Sequence, residues 1–184
     1  MKFLKNPGVI LLLVVVIVAG AIWLYFGAFS KSSPFSGSRQ ARKHEGGKVA
    51  GITETYKAPD ENFTVPKLPE LNFTYTDLDN GVKRILAEGK NEHEGFEITI
   101  FPFDETGPLT PDRIKQDVPD IEISNSEDTT IADNIPALAF NSSDEGIGQT
   151  FEVWFVKDGQ LFQVVTWPSY RETLLEILDY IKFQ

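Results

Sequence analysis

Apolar residues fall into three regimes along this 184-residue chain. Residues 9–29, VILLLVVVIVAGAIWLYFGAF, are apolar without a break and contain no charge and no proline. From Ser30 to Glu70 no period is visible. From Leu71 onward apolar and polar positions alternate in short runs, and the chain closes on a stretch with helical spacing.

The alternating region predicts strands. In LNFTYT (71–76) Leu71, Phe73 and Tyr75 share one side, and DNG then turns the chain. VKRILAE fits a strand or a helix; the strand is preferred because GKNEHEG reads as a hairpin loop before FEITIFPF (96–103). Thr110 as cap, Pro111 at the first helical position and Asp112 in the first turn predict a short helix that Pro119 ends. IEIS (121–124) and IPALAF (135–140) read as short strands, the second weakened by Pro136.

The clearest local signal is Asp158-Gly159 between QTFEVWFV and LFQVVTW, the turn residues of a two-residue hairpin. Such a loop pairs Lys157 with Gln160, Phe155 with Phe162 and Val153 with Val164. One face of the hairpin is then Phe151, Val153, Phe155, Phe162 and Val164, the expected core face. The other face carries Glu152, Trp154, Val156, Leu161, Gln163, Val165 and Trp167. SYRETLLEILDYIKF completes the chain as an amphipathic helix, with Ser169 and Glu172 as a capping box and Tyr170, Leu174, Leu175, Leu178 and Ile181 as its apolar stripe. Antiparallel strands followed by such a helix define an α+β fold: an antiparallel sheet packed by a short helix and a C-terminal amphipathic helix.

The FEVWFVKDGQLFQVVTWP hairpin, the amphipathic helix and the closing IKF resemble the PsbP-like domains over residues 96–184, and the short helix after FEITIFPF fits the same pattern. The resemblance implies an antiparallel sheet between helices. It also implies a small export-side or membrane-associated module that binds partners without catalysis. The Gly-Phe strand that usually opens the family is not seen before residue 96, and no functional residue of the family is carried over.

The apolar run has the length for a bilayer: as a helix its 21 residues span about 31 Å. Trp23 and Tyr25 stand near its end, where a membrane-interface belt would form. Lys2, Lys5 and the small residues of AFS (28–30) also fit a cleaved signal, but the run exceeds a signal core, so a retained anchor is preferred. Orientation is balanced between two arguments. A count of flanking Lys and Arg, which includes RQARKHEGGK (39–48), puts the C-terminal side in the cytoplasm. A short basic start directly before the run favours export, and that reading is preferred. Expected organisation is a basic tail (1–8), a transmembrane helix (9–29), a flexible Ser/Gly/Pro-rich linker (30–70) and the α+β domain (71–184). Within the linker, YKAPDENFTVPKLPEL reads as an extended segment able to lie against the domain.

Charge sharpens the picture. Residues 1–50 hold seven Lys/Arg and one acid, whereas the rest holds ten bases and 26 acids. An acidic domain repels phosphate backbones, so nucleic acid is excluded as its partner. With no cysteine there is no disulfide framework, thiolate metal site or cysteine nucleophile. Gly-rich phosphate loops and nucleophile–base constellations are absent from the sequence, and no cofactor is expected.

The remaining candidates are weighed one by one. Trp154, Gln163 and Trp167 could form a partner patch; the preferred alternative is that FTVPKLPEL or the short helix covers that face. His93 between Glu92 and Glu94 lacks a second histidine nearby and reads as solvated loop. NSSDEGIGQTFE (141–152) spaces Gly146 and Glu152 like a calcium loop, but it runs into a strand where a helix is required, so it reads as a hairpin. Asn62, Asn72 and Asn141 match the glycosylation pattern, which matters only in an exporting eukaryote. The expectation is a single-pass cell-membrane protein whose domain lies outside the cytoplasm and binds an unknown protein or supports a membrane assembly. The alternatives are a membrane-tethered hydrolase using carboxylates and a pilin-like subunit. The pilin reading lacks the Gly-aromatic processing site and the early glutamate.

Overall fold

The computed structural model describes residues 49, 52–59, 61–91, 93–144 and 148–184. The basic tail, the apolar run with Trp23 and Tyr25, and the basic cluster lie outside the described residues, as do most positions of the expected linker. Among the described residues no helix is long and apolar enough to cross a membrane.

The elements in chain order are β1 (Thr55–Lys57), β2 (Phe63–Pro66), β3 (Asn72–Asp77), β4 (Lys83–Glu88), β5 (Gly95–Pro102), α1 (Pro111–Asp117), β6 (Ser124–Ile131), β7 (Ile135–Asp144), β8 (Gly148–Lys157), β9 (Gln160–Thr166), α2 (Arg171–Asp179) and β10 (Lys182–Phe183). Among the described residues they build an antiparallel sheet of seven strands, ordered β3-β4-β5-β9-β8-β7-β6, and a smaller one ordered β1-β2-β10. This is the α+β architecture expected from the pattern.

The β8–β9 hairpin has the anticipated register, with Lys157 opposite Gln160, Phe155 opposite Phe162 and Val153 opposite Val164. Asp158 and Gly159 both adopt positive φ, 51° and 76°, as the tight turn between right-twisted strands requires. VKRILAE resolves as a strand, β4, because it pairs on both sides with β3 and β5.

One face of the large sheet lies under α2 and the small sheet. Ile85, Ile98, Ile100, Phe151, Val153, Phe155, Phe162 and Val164 meet Phe63, Val65, Leu174 and Ile177 there in one buried cluster. Phe63 contacts Phe162 edge-on, with ring centroids 5.5 Å apart, and Phe155 stacks on Phe162 at 4.7 Å. Each such buried ring contributes on the order of 1.5–3 kcal/mol by leaving water.

The opposite face carries α1. The Thr110 hydroxyl accepts from the Arg113 backbone N–H at 3.2 Å, as a helix cap does. Ile114 of α1 packs with Phe101, Leu138, Phe140, Trp154 and Leu161.

Four sequence expectations change. First, part of the expected linker is structured: β1 and β2 belong to the small sheet, and Phe63, Val65 and Leu68 are fully buried. Proline excluded a helix there, but Pro66 is the last residue of β2, beyond the stretch that pairs with β10, so its missing N–H breaks no ladder bond to that neighbour. The packed region therefore reaches back to Val49, whose N–H donates to Glu176 Oε1 at 3.0 Å. Second, IEIS is not a strand; Ile121 and Ile123 pack against the α1 cluster from a loop, and the strand is the polar SNSEDTTI that follows. An edge strand with much of its surface exposed leaves little apolar period to read. Third, the capping box does not form: Pro168 starts a single 3-10 turn (Pro168–Tyr170) that takes Ser169 inside it, and Tyr170 caps α2 without a side-chain bond. Fourth, the closing helix ends at Asp179, and Lys182–Phe183 instead pair with β2 as strand β10.

Candidate functional site

The α1 face of the large sheet is not covered evenly. Alternation along β4, β5, β9 and β8 sends Arg84, Leu86 and Glu88, then Glu97, Thr99 and Phe101, then Leu161, Gln163 and Val165, then Thr150, Glu152 and Trp154 to this face. The apolar members at one end lie in the α1 cluster. The polar members occupy the middle and the other end, and several are buried: Glu97, Thr99, Thr150, Glu152 and Gln163.

Two buried carboxylates dominate this region. Glu152 accepts hydrogen bonds from Trp154 Nε1 at 2.8 Å and Thr150 Oγ1 at 3.1 Å. Burial pushes its carboxyl above the ordinary glutamate range; bonds from Trp154, Thr150 and Ser142 act in the opposite direction. Glu97 accepts from Thr99 Oγ1 at 2.9 Å through Oε1. Its carboxyl is also raised by burial, while the Thr99 bond and the nearby Arg84 charge oppose the rise. The two glutamates stand on β5 and β8, with Val165 of β9 between them.

The sheet opens into a small recess at the end of this region, lined by the β4–β5 and β8–β9 ends: Leu86, Glu88, Glu94, Glu97, Val165 and Trp167 contribute to it. Gly95, with φ 135°, stands opposite Glu88 at its margin. A Cβ at Gly95 would collide with the Ala87 carbonyl, so the position admits only glycine. Thr166 Oγ1 donates to the Gly95 carbonyl at 2.5 Å and ties this end of β5 to β9. The floor is half-buried Leu86 and Val165, and Glu97 is 4 % exposed beside them.

The structure separates the three residues of the expected patch. Trp154 is 3 % exposed and packs under α1 against Phe140; it is covered and offers no partner surface. Gln163 is also buried, and its Nε2 has no hydrogen-bond partner among the described residues. Trp167 alone keeps an accessible side, as a half-buried wall of the recess. The short helix, rather than FTVPKLPEL, covers Trp154; FTVPKLPEL packs on the other face of the sheet.

His93 sits in the β4–β5 connection at φ 66°, exposed, with its ring centroid 4.4 Å from that of Trp167. Sequence reasoning placed it in a solvated loop and did not connect it to Trp167, 74 positions away. Among the described residues no group of histidine and carboxylate side chains could hold a metal ion. Glu97, Glu152 and Gly95 were missed as site residues. Glu97 and Glu152 carried a usable signal, a charged residue inside an otherwise apolar strand.

Taken together the elements define an α+β domain: one large antiparallel sheet, with α2 and the small sheet on one face and α1 on part of the other. One of the solved structures it is similar to is the solution structure of cyanobacterial PsbP (CyanoP) from Synechocystis sp. PCC 6803, at 13% sequence identity and a TM-score of 0.47, covering 77% of this chain and 98% of that chain. The chain thus shows a weak structural likeness to a PsbP protein, the family its hairpin and closing helix resemble. No protein-family model matches the chain, and no curated protein matches it.

Proposed function

We propose that the protein is a single-pass membrane-anchored module, held by residues 9–29 with its domain outside the cytoplasm, that binds a partner protein without catalysing a reaction. The observation that carries the binding role is the recess. It is the place on the α1 face where a half-buried tryptophan and two aliphatic side chains remain open beside carboxylates. Open apolar surface rimmed by polar groups is a common mark of an interaction site. The anchor rests on the sequence alone: 21 uncharged residues with aromatic residues near the end.

Hydrolysis by paired carboxylates is the weaker reading. It needs two acids at one cavity. Glu88, Glu94 and Glu97 all line the recess, but Glu94 Oε2 accepts from Asn91 Nδ2 at 2.9 Å and Glu97 Oε1 from Thr99 Oγ1 at 2.9 Å, and the second buried acid, Glu152, lies outside its wall.

The test is affinity capture of the full chain from its native membrane, with and without Trp167→Ala. The module reading expects a specific co-purifying protein that is lost with the substitution. Protease treatment of intact cells should remove the domain if it lies outside. A chain that stays in the soluble fraction, or a domain cut only after lysis, would sink the anchor or the orientation respectively.

A further inference from the structure

The two edges of the large sheet are built differently. Among the described residues β6 pairs only with β7, and β3 only with β4. The β6 edge is blunted. Its register shifts between Ser124 and Glu127, Asn125 turns to φ 51°, and Glu127 and Asp128 stand along it. Irregular register and charge of this kind keep an edge from accepting another strand. β3 carries neither device. It follows β4 without a register shift from Asn72 to Asp77, contains no proline, and has its one charge, Asp77, at the end. Leu78 N–H donates to the Val82 carbonyl at 2.8 Å; alternation from that pair turns the backbone groups of Phe73, Tyr75 and Asp77 away from β4. The apolar face also runs out to this edge. Phe73 and Tyr75 are half-buried on the α2 face, and Tyr56 stacks on Phe73 with ring centroids 4.5 Å apart. Asn72 and Thr74 are exposed on the other face.

We propose that β3 is an interface at which a second copy of this chain adds its own β3, antiparallel, about a two-fold axis at Thr74. The strand complements itself in that register. Phe73 falls opposite Tyr75 of the second copy, and Tyr75 opposite its Phe73, so the row of rings continues from one sheet into the next. Aromatic pairs directly across an antiparallel ladder are favourable, whereas like charges are not. Asn72 falls opposite Thr76 on the other face, the two Thr74 side chains meet across the axis, and Asp77 falls opposite Leu71, so no like charges are opposed. The residues whose backbone groups point outward then face one another, as the ladder requires. An isologous contact needs such a self-complementary patch. A strand with one terminal charge has little with which to select a charged partner segment. The excess of acids beyond residue 50, 26 against ten bases, repels a second copy, so the pairing strengthens as salt screens it. This inference goes beyond the partner-binding reading and does not depend on it.

The test uses the full chain in detergent micelles. The chain has no cysteine, so Thr74→Cys supplies a single thiol. Under copper–phenanthroline oxidation it should form a covalent dimer about ten-fold faster than Asp128→Cys, at an exposed position on the blunted β6 edge. Sedimentation equilibrium should show a reversible dimer of the parent. Thr74→Lys should raise its dissociation constant about ten-fold, because like charges then meet across the axis. Mixing Thr74→Lys chains with Thr74→Glu chains should restore the dimer. Thr74 is exposed, so both variants keep the fold, which far-UV circular dichroism verifies. A parent that stays monomeric, equal cross-linking at the two edges, or a dimer unchanged by Thr74→Lys would overturn the pairing; in the last case the copies meet elsewhere. In native membranes, Thr74→Cys adducts with a different protein and none with a second copy would also overturn it.

Discussion

The two faces of the large sheet use the same strands for different ends. Under α2 and the small sheet, alternate residues are almost all apolar, and the interior is buried and ring-packed. On the α1 face the same strands place apolar residues only near α1 and bury Glu97, Glu152, Thr99, Thr150 and Gln163 beyond it. Filling the first face determines whether the domain folds. The second face tolerates buried carboxylates at a cost in desolvation, and that is where accessible chemistry remains. A helix of seven residues cannot cover a seven-stranded sheet, so the uncovered part is left for polar networks and the recess.

Large-to-small substitutions break the comparison most strongly. Phe155→Ala on the first face and Trp154→Ala on the second should each cost about 3–5 kcal/mol in urea denaturation, since both rings are buried. A Trp154 variant that loses under about 1 kcal/mol would mean that α1 does not seal its end of the sheet.

Titration separates the faces next. Raised folded pKa values mean that Glu97 and Glu152 hold protons more tightly in the folded chain than in the unfolded one. Their contribution to stability is therefore full below the ordinary glutamate value of about 4.3 and is lost as pH rises through the raised values. The Glu97→Gln, Glu152→Gln double variant should be more stable than the parent by roughly 1–2 kcal/mol at neutral pH, with the gap narrowing toward pH 4. A gap that widens on acidification would assign the carboxylates to stabilising charge interactions instead.

Smaller effects mark the surface. Trp167→Ala should cost about 1 kcal/mol or less in thermal unfolding, in contrast to Trp154. Arg113→Ala removes ion pairs to Glu105 at 2.7 Å and Asp117 at 2.5 Å. It should lower stability by about 0.5 kcal/mol, and less at high salt.

Much of the fold was legible because it is written in local pattern. The Asp158-Gly159 turn set the β8–β9 register, and the register set which of Phe155 and Trp154 faces α2. Thr110 and Pro111 marked the start of α1 correctly. Legibility failed where position in the sheet overrode local preference. Among the described residues Ser124–Ile131 pairs only with β7, and it shows no apolar period; Lys182–Phe183 leave helical spacing to pair with β2 from the other end of the domain. Of the recess residues, the sequence offered Trp167 only as a member of a possible patch and did not single out Glu97, because a single glutamate in FEITIFPF cannot show what lies beside it.

Length, charge and period are sums over neighbours in the chain, so the sequence by itself determined the 21-residue apolar run, the acidic domain, the α+β class and the hairpin register. Tertiary structure decided which tryptophan is covered, that residues near Val49 and Phe63 belong to the core, and that Gly95, Glu97 and Trp167 share a recess with His93 at its edge. Those facts depend on contacts between residues tens of positions apart, and burial and desolvation arise only when such contacts form.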